Sequence, residues 1–294
     1  MEKKIGRSER IIYNKIAAPV SYEAIIELDK DKPYLVEKYA ESSLQIGQLW
    51  LPEELNGDTL IPVIIFIHGG CWLSEYDIKH TEAAVTALKD QGYVVWSIEY
   101  RRIGDSGGGW PGTFNDISNA VDHVKKLCTR YPLDINRVIL MGHSAGGHLA
   151  LWAAGRSAFH SEHPLYVSDP LNIHTVISLS GITDLITYSK GAGPCNQSVD
   201  KLFNGTSEEQ RDRFMAGSPM ELSNTNVQVI LFHGIKDDIV PIEQAKTFAD
   251  YLYKSRGINP IRLIENAGHF DFIHPGSLAW QGVLKVLIKN IPTV

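Results

Sequence analysis

The segment that most constrains this chain is Gly142-His143-Ser144-Ala145-Gly146, entered by four apolar residues, Val138 to Met141, and left by an apolar helical pattern through Leu149, Ala150, Leu151 and Trp152. A serine between two glycines, where a buried strand turns into a helix, is held in a strained backbone position with its hydroxyl pushed out of the sheet edge. A Cβ at Gly142 or Gly146 would collide with the neighbouring strand or helix, so the elbow requires residues that lack one. The helix that starts beside Ser144 adds free N–H groups and the positive end of its dipole, which suits a developing oxyanion.

The remainder of the chain supplies what such an elbow needs. Residues 34–39 and 44–51 alternate apolar with polar, as a half-solvated antiparallel hairpin does. Residues 61–67 are continuously apolar and end in His68-Gly69-Gly70-Cys71-Trp72, a glycine loop at the carboxyl end of a strand buried on both faces. A helix over 81–91 stopped by Gly92 leads to a strand over 93–100, and the glycine-rich 104–112 follows it. That segment lacks the Lys and Ser/Thr of a phosphate-binding P-loop. Phe114, Ile117, Val121, Val124 and Cys128 mark one helix face. Strands over 174–181, 227–232 and 260–264 and helices over 242–257 and 278–291 complete an alternation that predicts a mostly parallel sheet covered on both faces. The unpatterned stretch 182–226 is long for a compact domain unless it covers a site. It is expected to form a small cap, together with the N-terminal arm 1–30, on one domain spanning 1–294. Within it Thr206-Ser207-Glu208-Glu209 reads as a capping box opening a short helix.

Charge and composition exclude several classes. With a net charge of −6 and 21% charged residues, the chain offers neither a basic surface for nucleic acid nor an acidic tail. No apolar run reaches the length of a membrane span. The first ten residues lack the apolar core of a signal peptide, so a cytoplasmic location is expected. Cys71, Cys128 and Cys195 are odd in number and widely spaced, which reads as reduced thiols.

Catalytic groups in open parallel sheets collect at the carboxyl ends of the strands. After the strand ending at Phe232 comes His233-Gly234-Ile235-Lys236-Asp237-Asp238, and after the one ending near Ile264 comes Gly268-His269-Phe270. Ser144, Asp237 and His269 thus stand in the chain order Ser, Asp, His expected of a nucleophile, acid and base on such a sheet. Asp238 and Asp184 are alternatives for the acid, and an Asp before a helix is commonly an N-cap. His274, His233 and His148 compete with His269, which directly follows a glycine at the strand end. His68 is placed to orient the glycine turn.

These residues give the chain a resemblance, from about Tyr34 onward, to the α/β-hydrolase superfamily and within it to the esterase and arylformamidase (kynurenine formamidase) branch related to hormone-sensitive lipase. His68 to Trp72 matches the His-Gly-Gly-x-Trp motif of arylformamidases, residues 142–146 the nucleophile elbow, and Glu99-Tyr100-Arg101 resembles Asp-Tyr-Arg at a strand end. The resemblance implies an oxyanion hole built from the N–H groups of Gly70, Cys71 and Ala145. Two departures disfavour bulky lipase-type esters: Arg102-Ile103-Gly104-Asp105 replaces the Ala-Pro-Glu segment of lipase-like members, and Cys71 replaces a third glycine. The expected activity is hydrolysis of short-acyl esters or N-formyl and N-acyl aryl amides through an acyl-enzyme, N-formylkynurenine being one candidate substrate. Trp72 and Trp110 are expected to frame the substrate pocket. No His/Glu motif with metal-ligand spacing is present, and neither metal nor cofactor is expected. Two rivals differ in class. A catalytically silent small-molecule receptor would be expected to lack a triad member, and an acyl-aminoacyl peptidase to carry a large extra domain.

Overall fold

In the computed structural model, which describes residues 11–53, 59–222 and 226–293, the apolar run at 61–67 is a strand with every residue buried. Val63, Ile65 and Ile67 enter one apolar core while Ile64 and Phe66 enter a second on the opposite face. The strand leading to the elbow divides in the same way, with Val138 and Leu140 on the first side and Ile139 and Met141 on the second. Two buried faces explain why these runs are continuously apolar instead of alternating.

In chain order, α1 (Tyr22–Ile26) precedes the antiparallel pair β1 (Leu35–Lys38) and β2 (Ile46–Trp50). Next come β3 (Ile61–Ile67), α2 (Glu82–Asp90), β4 (Val94–Ile98), α3 (Gly112–Asp122) and α4 (Val124–Leu127). The elbow joins β5 (Leu133–His143) to α5 (Ala145–Gly155), followed by β6 (Thr175–Leu179). The stretch 182–226 contains α6 (Leu185–Tyr188), α7 (Pro194–Phe203) and α8 (Arg211–Gly217). Then β7 (Gln228–Gly234), α9 (Ile242–Arg256), β8 (Ile261–Ile264) and α10 (Leu278–Asn290) follow.

The strands form one sheet in the order β1-β2-β4-β3-β5-β6-β7-β8. Among the described residues only β2 runs against its neighbours, and the pairs from β4 across to β8 are parallel. Residues of α3, α4, α5, α9 and the 182–226 excursion fill the first core. The second face is covered by α2, α10 and the arm residues Val20 and Ile25. The arm is pinned by Val20 N, which donates to Asp271 Oδ2 at 2.9 Å.

Local departures from the expected elements have identifiable causes. The helix read over 114–128 divides at His123, whose ring stacks on Trp96 and whose Nε2 meets Glu37 at 2.7 Å. The capping-box bonds of Thr206 and Glu209 form, at 2.9 and 3.3 Å, yet they close a turn. Helix α8 starts only at Arg211, because Gln210 at φ −121°, ψ 37° is not helical. Of the expected cap, residues 1–10 and 223–225 lie outside the described residues.

The elbow glycines and a helix glycine give opposite expectations. A Cβ on Gly146 would lie 2.1 Å from Ile67 O and 2.4 Å from His68 O, whereas one on Gly282, inside α10, meets nothing within 4 Å. Gly146→Ala should therefore destabilise by about 3 kcal/mol or more through forced backbone movement. Gly282→Ala should stabilise by about 0.5–1 kcal/mol. Urea unfolding of both variants checks the pair.

Candidate active site

Ser144 stands between β5 and α5 at φ 56°, ψ −121°, a region that costs a non-glycine residue on the order of 1–3 kcal/mol. Hydrogen bonds hold it there, Ser144 N to Leu179 O at 2.9 Å and His148 N to Ser144 O at 3.0 Å. Ser144 lines a cavity of about 330 Å³ together with Gly70, Cys71, His143, Cys195, Ile239 and His269, and with Tyr22, Glu23, Tyr76, His80 and Phe270.

His269, in the loop after β8, donates Nδ1–H to the carboxylate of Asp237 at 3.0 and 2.9 Å. Asp237, after β7, also accepts the N–H groups of Ile239 and Val240 at 3.0 and 2.9 Å. Its side chain is fully buried. Burial favours the neutral acid, but the adjoining His269, the nearby His233 and the backbone donors outweigh it and hold the carboxyl below its ordinary range. Asp237 thus stays ionised, and the bond it receives from Nδ1–H fixes the orientation of the imidazole. The loop carrying His269 is shaped by buried Asp271, which accepts Gly268 N at 3.0 Å.

The alternatives are used elsewhere. Asp184 caps α6 by accepting Thr187 N at 3.1 Å, and Asp238 is exposed. His274 Nδ1 accepts Gly276 N at 3.0 Å, and His233 donates Nε2–H to Val240 O at 2.9 Å. His68 places its ring between Gly69 O and Glu99 Oε1, both at 2.8 Å. Glu99 also accepts the N–H of Ile78 at 3.0 Å, so it braces the loop from beneath.

The loop 69–72 turns through left-handed backbone at Gly70 (φ 103°), Cys71 (φ 53°) and Trp72 (φ 59°). It touches the elbow directly, since a Cβ on Gly69 would lie 2.8 Å from His143 O. Gly70 and Cys71 reach the cavity, while Ala145 is fully buried as the first residue of α5.

Three expectations need correction. Trp72 does not line this cavity: it is fully buried and donates Nε1–H to His148 Nδ1 at 3.1 Å, while His148 donates Nε2–H to Gly217 O at 2.8 Å. Trp110 is likewise turned into the core against Phe114 and Phe203, with Trp110 N donating to Leu202 O at 2.7 Å. Cys71 and Cys195 are not separate thiols, because the fold brings them together as a disulfide and leaves Cys128 free. The aromatic side of the cavity is instead Tyr22, Tyr76 and Phe270, with Tyr22 centred 5.7 Å from Tyr76 and 5.5 Å from Phe270. Arm position carries Tyr22 there, and no local motif marks it. His143 could have been found, since it directly precedes Ser144. Its Nε2–H donates to His269 O at 2.9 Å, tying the loop of His269 to the elbow.

The BD-FAE family model matches residues 48–252 of the chain. Esterase LipC of Mycobacterium tuberculosis is 26% identical over 245 residues, covering 80% of this chain and 59% of LipC. Isoprenylcysteine alpha-carbonyl methylesterase ICME of Arabidopsis thaliana is 27% identical over 236 residues, 74% of this chain and 54% of that protein. The chain therefore spans little more than half the length of these relatives. Esterase B from Lactobacillus rhamnosus superposes with a TM-score of 0.75 at 19% identity, over 91% of this chain and 89% of that one. The α/β-hydrolase fold follows from that likeness and from the sheet order. Among the described residues no helix is long and apolar enough to cross a membrane.

Burial around the site makes stability depend on pH. Desolvation lowers His148 to about 4 and His80 to about 3, and His143 lies well below its ordinary value. His148 in particular cannot take a second proton without losing the Trp72 N–H. In the unfolded chain these imidazoles titrate near 6.5, so below that pH the unfolded state binds more protons. Stability should be complete above about pH 6.5 and fall as pH drops toward about 4, each histidine contributing a slope of about 1.4 kcal/mol per pH unit. Urea unfolding at pH 7 and pH 5 measures this, and equal stabilities would contradict it.

Proposed function

The chain belongs to the BD-FAE family, and from that premise we propose that it is a serine hydrolase cleaving short-acyl carboxylic esters, with N-formyl aryl amides as a second bond class. The observation that carries the reading is the Asp237–His269 pair facing the cavity that Ser144 also lines, at the carboxyl edge of the sheet. The esterase names of the similar proteins support the ester half.

In this mechanism His269 Nε2 takes the proton of Ser144 Oγ as the oxygen attacks the carbonyl carbon. Asp237 stabilises the imidazolium, which then protonates the leaving group. Water, deprotonated by the same nitrogen, attacks the acyl-enzyme, and Ser144 recovers its proton. The tetrahedral oxyanion is received by the N–H groups of Gly70, Cys71 and Ala145, each lowering the barrier by about 3 kcal/mol. Residues 182–226, with the described part of the arm, serve as the cap. Tyr22 in the cavity lining supports the arm's share in this role, and Ile239 and Cys195 bound the other side.

A cavity of about 330 Å³ stands at the small end of ligand sites. Together with Cys71 in place of a glycine, it favours a formyl or acetyl group over a long chain. The aromatic side formed by Tyr22, Tyr76 and Phe270 suits a leaving group that contains a ring.

Ser144→Ala should leave the fold intact and reduce turnover to below about a thousandth of wild type. Asp237→Asn should cost about ten-thousandfold by stabilising the wrong tautomer of His269, and Asp238→Asn far less. A larger loss at Asp238 would refute the assignment of the acid. Across aryl esters of increasing acyl length, kcat/KM should fall steeply beyond about four carbons, and a maximum at octanoate would contradict the short-acyl reading. Comparing N-formylkynurenine with phenyl acetate tests the second bond class, since undetectable formamide cleavage leaves ester hydrolysis alone.

A further inference from the structure

The disulfide joins residues 124 positions apart and spans the candidate site. Cys71 belongs to the left-handed loop beside Ser144, and Cys195 is the second residue of α7, with Cα atoms 5.0 Å apart. That separation falls within the range a disulfide bridges without backbone movement. Both cysteines line the cavity, and both are partly exposed. The later turns of α7 are anchored by Val199, Leu202 and Phe203 in the core. Exposed Gly191 and Ala192 precede its first turn, which opens with exposed Pro194, and the disulfide joins that turn to the loop.

We propose that the Cys71–Cys195 disulfide is a specificity-determining wall of the cavity, which locks the first turn of α7 against the loop carrying Gly70 and Cys71 and so limits the acyl group that fits beside Ser144. The proposal rests on the ester-hydrolase reading. Bonded sulfurs stand about 2.0 Å apart, while two thiols need roughly van der Waals separation, about 3.5–4.0 Å. Breaking the bond therefore moves the wall outward by about 1.5–2 Å, a shift that the exposed Gly191 and Ala192 ahead of the helix can absorb.

The bond opens by exchange with a dithiol. One reductant thiolate attacks Sγ of Cys195 and expels Cys71 as a thiolate, which is protonated. The second reductant thiolate then attacks its own mixed-disulfide sulfur, releasing Cys195 as a thiol and leaving the reductant oxidised by two electrons. A compartment whose thiol pool is reducing would thus favour the open form and an oxidising one the closed form.

The test uses the full chain with iodoacetamide, dithiothreitol and p-nitrophenyl esters. Mass spectrometry should find Cys128 alone alkylated in the oxidised protein and all three cysteines after dithiothreitol. On reduction, the kcat/KM ratio of octanoate to acetate should rise about tenfold. Cys195→Ala should show the raised ratio without reductant and no response to it, while Cys128→Ser should respond as wild type does. An unchanged ratio after verified reduction, or three alkylated cysteines before it, overturns the proposal. Should the oxidised protein cleave none of the esters, the ester-hydrolase reading fails separately. Hydrogen exchange at the amides of residues 70–72 then decides the wall, because it must quicken on reduction and unchanged exchange overturns it.

Discussion

The architecture of the site depends on a backbone contact that excludes side chains. Gly146, in the first turn of α5, lies so close to the end of β3 that a Cβ would stand 2.1 Å from Ile67 O, and Gly142 is as close to Gly146 O. The elbow and the end of β3 can therefore meet at main-chain distance. From that contact, the loop 69–72 leaves β3 directly beside Ser144, with Gly69 against His143 O. The juxtaposition of Ser144 and the loop 69–72 is a consequence of the sheet order, in which β3 and β5 are parallel neighbours. Both segments carry positive φ, at Ser144 and at Gly70 to Trp72, and such strain persists only where the surroundings enforce it.

Much of that enforcement comes from buried carboxylates. Glu99 braces the loop through His68 and Ile78 N, Asp116 binds Arg101 through both oxygens at 2.8 and 2.6 Å, and Asp271 gathers Val20 N and Gly268 N. Asp237 does the same for its own loop while meeting His269. A buried carboxylate without partners is costly, so each is stable only in the geometry that supplies all its donors. Together they set the loops at the carboxyl ends of β3, β4, β7 and β8, and Asp237 is one member of a set with a common structural logic. Asp237 differs from the others in meeting a histidine that lines the cavity.

The sheet and the Ser, Asp, His order were legible because they are written in local pattern. Continuous apolar runs marked β3 and β5, and the glycines of the elbow announced a contact that tolerates no side chain. The cavity walls were not legible, since they depend on long-range placement. Trp72 looked like a wall because it follows the glycine loop, but its φ of 59° turns the ring inward to His148. Trp110 is drawn into the core by Phe114 and Phe203. Tyr22 and Cys195 come from distant parts of the chain and reach the site only once the arm and the excursion have docked. An odd cysteine count argued against pairing, although a count carries no information about which two of three residues the fold brings within reach.

His148 shows how these long-range links act together. It lies one helical turn after Ser144, accepts the Trp72 N–H from the loop, and donates to Gly217 O at the end of α8. One ring thus joins the elbow helix, the left-handed loop and the excursion, and both its nitrogens are committed, which requires the neutral Nε2–H tautomer. Burial disfavours the charged ring, so the loss of solvation that would be a liability for a surface histidine here stabilises the single form able to make both bonds. The disulfide joins the same loop to α7 of the same excursion from the cavity side. The loop is therefore held between a hydrogen bond in the core and a covalent bond at the cavity. Neutral His148 is insensitive to thiols and Cys71–Cys195 to moderate acid, so the two restraints respond to different conditions while acting on adjacent residues.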